Sequence, residues 1–160
     1  MEFFLEIMAL FYRIVQEEWS ATAMDGEGAR RYGGRWNLPG IAAVYLAESR
    51  ALAALEILVH APREALRLNW IVIELEIPDS RIERVSPSEL PENWRGQPSS
   101  RAAQAFGASW LRAGRNLALQ LPSVVIPEEK SLLLNPFHSL MRELVPGKPL
   151  PFSFDSRLAG

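Results

Sequence analysis

The stretch WIVIELEI, residues 70–77, decides the fold class that the sequence predicts. From position 71 onward an isoleucine or leucine stands at every odd position, and Glu74 and Glu76 stand between them. A period of two residues is typical of a β-strand with one buried face and one solvated face. The Pro-Asp pair that follows predicts a turn, so RIERV, residues 81–85, is expected to return as an antiparallel strand.

Outward from this strand, strands and helices are mixed without regular alternation. Strands are predicted at 10–15, 41–47, 117–121, 123–127 and 132–135, and helices at 49–61, 100–114 and 136–144, with a short helix starting at 86 and an extended tail at 146–160. An antiparallel pair without repeated strand–helix–strand units favours an α+β fold over a doubly wound sheet. We therefore expect residues 1–160 to form a single α+β domain.

Length, charge and cysteine content exclude several classes of function. A chain of 160 residues is large enough for one domain with its own core. Its net charge of −2 predicts no direct nucleic-acid partner and no membrane partner. The lack of cysteine excludes disulfides, thiolate nucleophiles and cysteine zinc sites. Glu2 and Glu6 stand where a secretion signal carries basic residues, so we expect a cytoplasmic protein.

Glu56 is the most informative single residue, because it interrupts the apolar run from 51 to 59 in the predicted helix. An unpaired carboxylate in an apolar site costs several kcal/mol, so Glu56 needs a partner or a raised pKa. One interpretation is a structural Glu–Arg pair that fixes the packing. The other is a catalytic or ligand-orienting carboxylate at the wall of a pocket.

The loop RRYGGRWNLPG, residues 30–40, holds the leading partner for that carboxylate. Arg35 follows two glycines and offers a planar fork suited to carboxylate or phosphate. Trp36 adds a stacking surface and Asn37 adds an amide. The loop lacks the GKS or GKT of a phosphate-binding P-loop, and it precedes a strand instead of opening a helix. The alternative interpretation is an ordinary solvated surface turn.

The remaining candidates each have a structural alternative. Tyr45 is either a pocket residue or a core tyrosine, and Ser123 is either a site hydroxyl or a strand-edge hydroxyl. His60 fits the end of a helix, where the dipole favours a cation, and His138 fits a structural cap. No motif here predicts a metal site or a serine-hydrolase triad.

These segments, taken in order, resemble the RES domain family. The motifs that carry the resemblance are GGRWN (33–37), VYLAES (44–49), ALAALEILVH (51–60), LPSVVIP (121–127) and LLLNPFH (132–138). They cover most of the chain, from about Phe11 to about His138. Ser131 departs from the family pattern, in which many members have asparagine.

The resemblance implies a fold like that of the ADP-ribosyltransferases and an activity on NAD. The Arg, Glu and Ser that name the family fall on Arg35, Glu56 and Ser123, and Tyr45 is implied as a fourth catalytic residue. The residues implied to bind NAD are Arg13, Arg31, Trp36, Asn37 and Asn135. In this scheme Glu56 contacts the ribose hydroxyls, and Arg35 holds the pyrophosphate.

The family also implies a partner and a biological role. Its members are toxins of toxin–antitoxin pairs, and their partner is an Xre-like antitoxin with a helix-turn-helix domain that blocks the active site. The resemblance therefore implies a growth-arresting toxin that degrades NAD by hydrolysis or phosphorolysis, with no metal. A protein ADP-ribosyltransferase and a non-catalytic NAD-binding module are the alternatives.

Overall fold

In the computed structural model, which describes residues 5–160, seven strands form one mixed sheet. The strands are β1 (Met8–Gln16), β2 (Val44–Ala47), β3 (Trp70–Pro78), β4 (Ile82–Arg84), β5 (Ala118–Pro122), β6 (Lys130–Leu134) and β7 (Leu150–Phe152), and the α-helices are α1 (Glu27–Tyr32), α2 (Arg50–Leu58) and α3 (Arg101–Ala113). Their order across the sheet is β4-β5-β6-β2-β1-β3-β7. The predicted α+β fold is confirmed.

The alternating stretch forms β3, but its expected hairpin with the next segment is wrong. β3 pairs antiparallel with β1 along its whole length, and its other edge pairs with β7. The tail continues along that edge, because the N–H of Gly147 donates to the carbonyl of Glu74 at 2.8 Å. Since both edges of β3 are occupied, β4 crosses to the far end of the sheet and pairs parallel with β5.

The ends of the helices follow their local sequence signals. The hydroxyl of Ser49 accepts from the N–H of Leu52 at the start of α2, and Ser100 caps α3 in the same way. Gly114 ends α3 in the left-handed conformation. The ring of His138 accepts from the N–H of Leu140 and is therefore a structural cap.

Two predicted elements are not formed. Residues 123–127 make a turn instead of a strand, because the hydroxyl of Ser123 accepts from the N–H groups of Val125 and Ile126 at 3.1 Å. The predicted helix at 136–144 is a short 3₁₀ helix, Ser139–Glu143. The tail contains β7 and the short 3₁₀ helix Ser156–Leu158.

The two faces of the sheet carry separate parts of the core. One face packs around Val44, Leu46 and Leu134, with the 3₁₀ helix at 139–143 against it. The opposite face is covered by α2, which packs around Leu52 and Ile14, and by α3, which packs around Trp110 and Leu133. Within residues 5–160 the structure has no helix long and apolar enough to cross a membrane.

Candidate functional site

A cavity of about 770 Å³ lies on the sheet face that α2 and α3 cover. Its walls come from several parts of the chain that are far apart in sequence. These are the neighbouring strands β1 and β2, the segment 33–36, one side of α2, and the loops around 97–99 and 122–125. The candidates that line it are Arg13, Arg35, Trp36, Tyr45 and Glu56.

A second groove, of about 820 Å³, lies beside the chain's tail and is lined by Trp70, Phe152 and Phe154 among others. It shares no lining residue with the first cavity, and none of the residues singled out from the sequence reaches it. The concentration of polar candidates therefore makes the first cavity the candidate functional site.

Glu56 stands on the half-buried side of α2 and is held by one specific partner. The hydroxyl of Ser123 donates to Oε1 of Glu56 at 2.8 Å. Helix α2 is less enclosed than its apolar sequence suggests, since only Leu52 and Ala53 are buried within it and Val59, which follows it, is 57% exposed. Glu56 therefore keeps its contact with the cavity and does not disappear into the core.

Ser123 has its hydroxyl fully committed. The side chain is completely buried, and besides donating to Glu56 it accepts from the N–H groups of Val125 and Ile126. A hydroxyl has one donor and two acceptor positions. All three are occupied, so Ser123 acts on the cavity by orienting Glu56 and has no hydrogen bond left for a ligand.

Arg35 lines the cavity but does not pair with Glu56, contrary to the expected Glu–Arg pair. Its Nη1 donates to the carbonyl of Trp94 at 3.3 Å and to the carbonyl of Gly96. Both residues are described, and no ion pair joins them. Desolvation lowers the pKa of Arg35, and the charge of Glu56 acts in the opposite direction. The guanidinium and the carboxylate are therefore near each other but separately held.

Tyr45 and Asn37 form a hydrogen-bonded pair behind Arg35. The hydroxyl of Tyr45 donates to Oδ1 of Asn37 at 2.6 Å and accepts from the N–H of Trp36 at 3.0 Å. Burial raises the pKa of Tyr45, so the phenol stays neutral. Asn37 is completely buried and does not line the cavity.

The ring of Trp36 is already stacked. Trp36 is 2% exposed, and its ring lies 6.1 Å from that of Trp94 with an angle of 20° between the planes. Phe106 of α3 meets it edge-on at 6.0 Å. Little of the ring is left for a ligand, and its main contacts hold the loop around 94–96 against the segment 33–36.

Arg13 lies where β1 and β2 separate, and its side chain makes hydrogen bonds to main-chain carbonyls there. These strands share only one register pair, Tyr12 with Ala47. Beyond it the guanidinium of Arg13 donates to the carbonyls of Tyr45 at 3.0 Å and Ala23 at 2.8 Å. Desolvation lowers the pKa of Arg13 to about 10. Arg13 thus replaces missing ladder hydrogen bonds at the edge of the cavity.

Besides Ser123 and Asn37, two more predicted residues lie away from the cavity lining. Arg31 is on α1, its side chain is 64% exposed, and its Nε is 3.6 Å from the carboxylate of Glu27. Asn135 is buried and donates to the carbonyl of Leu111 at 3.1 Å, while it accepts from the N–H of Phe137. The structure does not bring either side chain together with Glu56.

Several lining residues were not among the predicted site residues. Tyr12, Gln97, Ser99 and Ser131 reach the cavity, and so does His60, one helical turn after Glu56. Strand pairing and loop closure bring Tyr12, Gln97, Ser99 and Ser131 to the cavity. Of these, only His60 could have been found from spacing, since positions four apart share one side of a helix.

The arrangement presents a carboxylate and a guanidinium to the same enclosed space. A carboxylate held by a hydroxyl stabilises a developing positive charge in a transition state. A guanidinium with free donors binds an anionic group such as phosphate. The cavity volume lies within the roughly 300–1,000 Å³ of small-molecule sites. A ligand with a cationic and an anionic part fits both charges.

Known proteins are similar to this chain over most of its length. The family model of the RES domain matches residues 10–155. A protein named Toxin Res from Yersinia enterocolitica is 41% identical over 150 residues, which are 93% of this chain and 99% of that protein. The Prs ADP-ribosylating toxin of a Sphingobium species is 39% identical over 92% of this chain and 95% of that protein.

The fold is also found among solved structures. A chain of the crystal structure of the M. tuberculosis MbcT–MbcA toxin–antitoxin complex superposes with a TM-score of 0.74. The match covers 93% of this chain and 86% of that one at 21% identity, so it shows a shared fold. The family match over most of the chain and relatives of up to 41% identity lead to one conclusion: this chain belongs to the RES domain family.

Proposed function

We propose that this protein is the toxin of a toxin–antitoxin pair and that it cleaves the bond between nicotinamide and ribose in NAD. The observation that carries the proposal is the carboxylate of Glu56, held at the cavity wall by the buried hydroxyl of Ser123. The toxin role is supported by the relatives named Toxin Res and by the shared fold with a chain of a toxin–antitoxin complex.

The chemistry of the bond explains why a carboxylate is needed. When the bond breaks, its electron pair goes to the nicotinamide nitrogen, which becomes neutral, and positive charge develops on the ribose. Glycosidases meet the same oxocarbenium-like state with carboxylates. The oxygen of water or phosphate then bonds to the ribose carbon and gives up a proton if it arrives as water. Glu56 is proposed to hold the ribose hydroxyls and stabilise the cation.

Arg35 is proposed to bind the pyrophosphate of NAD. Its Nη1 is committed to main-chain carbonyls, while its remaining N–H groups make no hydrogen bond to a described residue. Guanidinium donors match the geometry of phosphate oxygens. Tyr45 and Ser123 are proposed to act through Arg35 and Glu56, because their hydroxyls are occupied by protein partners. Within residues 5–160 no cluster of three metal-binding side chains is present, and the proposed mechanism uses none.

A second candidate is ADP-ribosyl transfer to a protein side chain. The relative named as an ADP-ribosylating toxin favours it, since it is 39% identical over nearly the whole chain. Both reactions break the same bond and differ in the acceptor that attacks the ribose. The proposed partner, an Xre-like antitoxin that covers the cavity, is compatible with either reaction.

Nicotinamide release from NAD by the purified protein, with and without phosphate, tests the proposal. Glu56→Gln should lower the rate at least about 100-fold, because it removes the charge. The fold should survive, since the amide oxygen still accepts from Ser123. Glu64→Gln is the matched control, because Glu64 is exposed and does not line the cavity.

The outcomes separate the candidates. Free ADP-ribose or its phosphate ester as the product supports degradation, and label from NAD attached to protein supports transfer. Binding of NAD without nicotinamide release would leave a non-catalytic binding module and refute the proposed activity. Full activity with a chelator present is expected, because side chains alone carry the proposed chemistry.

A further inference from the structure

The segment Gly34–Asn37, which we call the Arg35 turn, carries Arg35 to the cavity. The N–H of Gly34 donates to the carbonyl of Asn37 at 3.0 Å and closes the turn. A turn this short has few internal contacts of its own. The direction of Arg35 therefore depends on the contacts that the turn makes with the rest of the protein.

Asn37, the last residue of the turn, makes several of these contacts through its side-chain amide. Its amide nitrogen lies 2.8 Å from the carbonyl of Ala29, 2.9 Å from that of Ile41 and 3.3 Å from that of Leu38. Its oxygen accepts from the hydroxyl of Tyr45 at 2.6 Å. One fully buried amide thus joins α1, the loop before β2, and β2 itself.

Tyr45 connects Asn37 to Trp36, the residue next to Arg35. Its hydroxyl accepts from the N–H of Trp36 at 3.0 Å, so Asn37, Tyr45 and Trp36 form one chain of hydrogen bonds. The fit is close, since a Cβ on Gly34 would stand 2.8 Å from both the Tyr45 hydroxyl oxygen and Oδ1 of Asn37. Only glycine at position 34 leaves the pair room to form.

Helix α3 holds the other side of the turn. Nε2 of Gln104 donates to the carbonyl of Gly34 at 3.1 Å. At Gly107 the helix approaches so closely that a Cβ would lie 1.8 Å from the carbonyl oxygen of Trp36. The Arg35 turn is therefore clamped between β2 and α3.

We propose that Asn37 is a positioning residue, which sets the direction of Arg35 through the hydroxyl of Tyr45. The inference rests on the proposed function in one respect, namely that Arg35 binds the anionic part of NAD. It assigns the amide of Asn37 and the hydroxyl of Tyr45 to the protein side of the site, where their hydrogen bonds hold the turn that carries Arg35.

Kinetics distinguish positioning from a merely structural role. If Arg35 binds the pyrophosphate equally in the ground state and the transition state, misplacing it raises KM and leaves kcat nearly unchanged. We expect Asn37→Ala to raise KM for NAD about tenfold with kcat within about twofold. A merely structural loss would lower the folded, active fraction and reduce apparent kcat at constant KM.

A double-mutant cycle tests whether the pair acts as a unit. Tyr45→Phe should raise KM as Asn37→Ala does, and the double variant should be no worse than the poorer single variant. The control is Asn116→Ala, since among residues 5–160 the side chain of Asn116 bonds only to the adjacent N–H of Leu117, and it lies outside the cavity lining. It should leave KM unchanged. Single-variant effects that multiply in the double variant would overturn the proposal.

Two further measurements do not depend on turnover. Calorimetry with NAD on a Glu56→Gln background should show weaker binding for Asn37→Ala, and amide exchange should become faster at Trp36 but not at Leu52, whose N–H is held by Ser49. If the wild-type protein releases no nicotinamide, the proposed function fails while these measurements still test the positioning. Unchanged NAD affinity and unchanged exchange at Trp36 would overturn it.

Discussion

Replacing Gly107 with alanine perturbs the Arg35 turn mainly through the backbone of Trp36. Gly107 is buried within α3, directly opposite the backbone of Trp36. Two effects of the added methyl group oppose each other. Alanine favours a helix over glycine by about 0.5–1 kcal/mol, but the methyl group needs space that the structure does not provide.

The size of the steric clash determines whether the substitution stabilises or destabilises the protein. A Cβ at this position would lie 1.8 Å from the carbonyl oxygen of Trp36 and 2.6 Å from its carbonyl carbon. Both atoms are backbone, so relief requires α3 and the turn to separate by more than about 1 Å in a closely packed region. Overpacking of this kind costs about 1–3 kcal/mol or more. We expect Gly107→Ala to lower the free energy of unfolding by about 1–2 kcal/mol after the helix gain is subtracted.

Urea unfolding measures the stability, and Gly28→Ala is the matched control. Gly28 also lies within a helix, but a Cβ there meets no atom within 4 Å, so only the helix gain remains. Its free energy of unfolding should rise by up to about 1 kcal/mol. KM for NAD should rise in Gly107→Ala, because the turn moves. A Gly107→Ala variant as stable as the wild type, with unchanged KM, would refute the reasoning.

Two further predictions concern the hydroxyl groups that hold the site. Ser123→Ala should lower kcat at least about tenfold with little change in KM, because Glu56 loses its orienting donor. It should also lower the free energy of unfolding by about 1–3 kcal/mol, because the N–H groups of the 123–127 turn lose their acceptor. Steady-state kinetics and urea unfolding measure the two effects, and an unchanged kcat would contradict the role. Because burial raises the pKa of Tyr45 above its unfolded value of about 10, its contribution to stability is complete below pH 10 and is lost as the pH rises toward the folded pKa. Unfolding at pH 9 and 11 should therefore show a steeper loss for the wild type than for Tyr45→Phe, and equal slopes would contradict it.

Local signals in the sequence predicted the elements that depend on local contacts. The alternating stretch became β3, and α2 and α3 begin next to the predicted first residues, where Ser49 and Ser100 cap them. The turn at 123–127 was mistaken for a strand, although the serine and the prolines on either side of VVI favour a turn. The hydroxyl of Ser123 supplies acceptors that a strand partner would otherwise provide.

Pairing across the sheet could not be read in the same way. The expected return of RIERV against β3 is the most probable arrangement for neighbouring segments. It fails because residues 147–152, some 70 positions away along the chain, occupy that edge of β3. Nothing near position 80 carries that information.

In the candidate site, the sequence predicted which residues matter but not which partners they contact. The sequence singled out Arg35 and Glu56 from their chemistry, and both line the cavity. It did not predict that the main-chain carbonyls of Trp94 and Gly96 would accept hydrogen bonds from the guanidinium of Arg35. Main-chain acceptors are present at every residue, so only the folded loop determines which ones are in reach.

The separate partners of Arg35 and Glu56 matter for the proposed chemistry. A direct ion pair would cancel both charges, and a substrate would have to break it before binding. Here neutral groups hold each one, a serine hydroxyl for the carboxylate and carbonyls for the guanidinium, so both charges remain available. NAD carries a cationic nicotinamide ring and an anionic pyrophosphate, and a site with two opposite, separately held charges matches it without rearrangement. The buried hydrogen bonds of Ser123, Tyr45 and Asn37 are then the means by which the fold keeps the two charges apart.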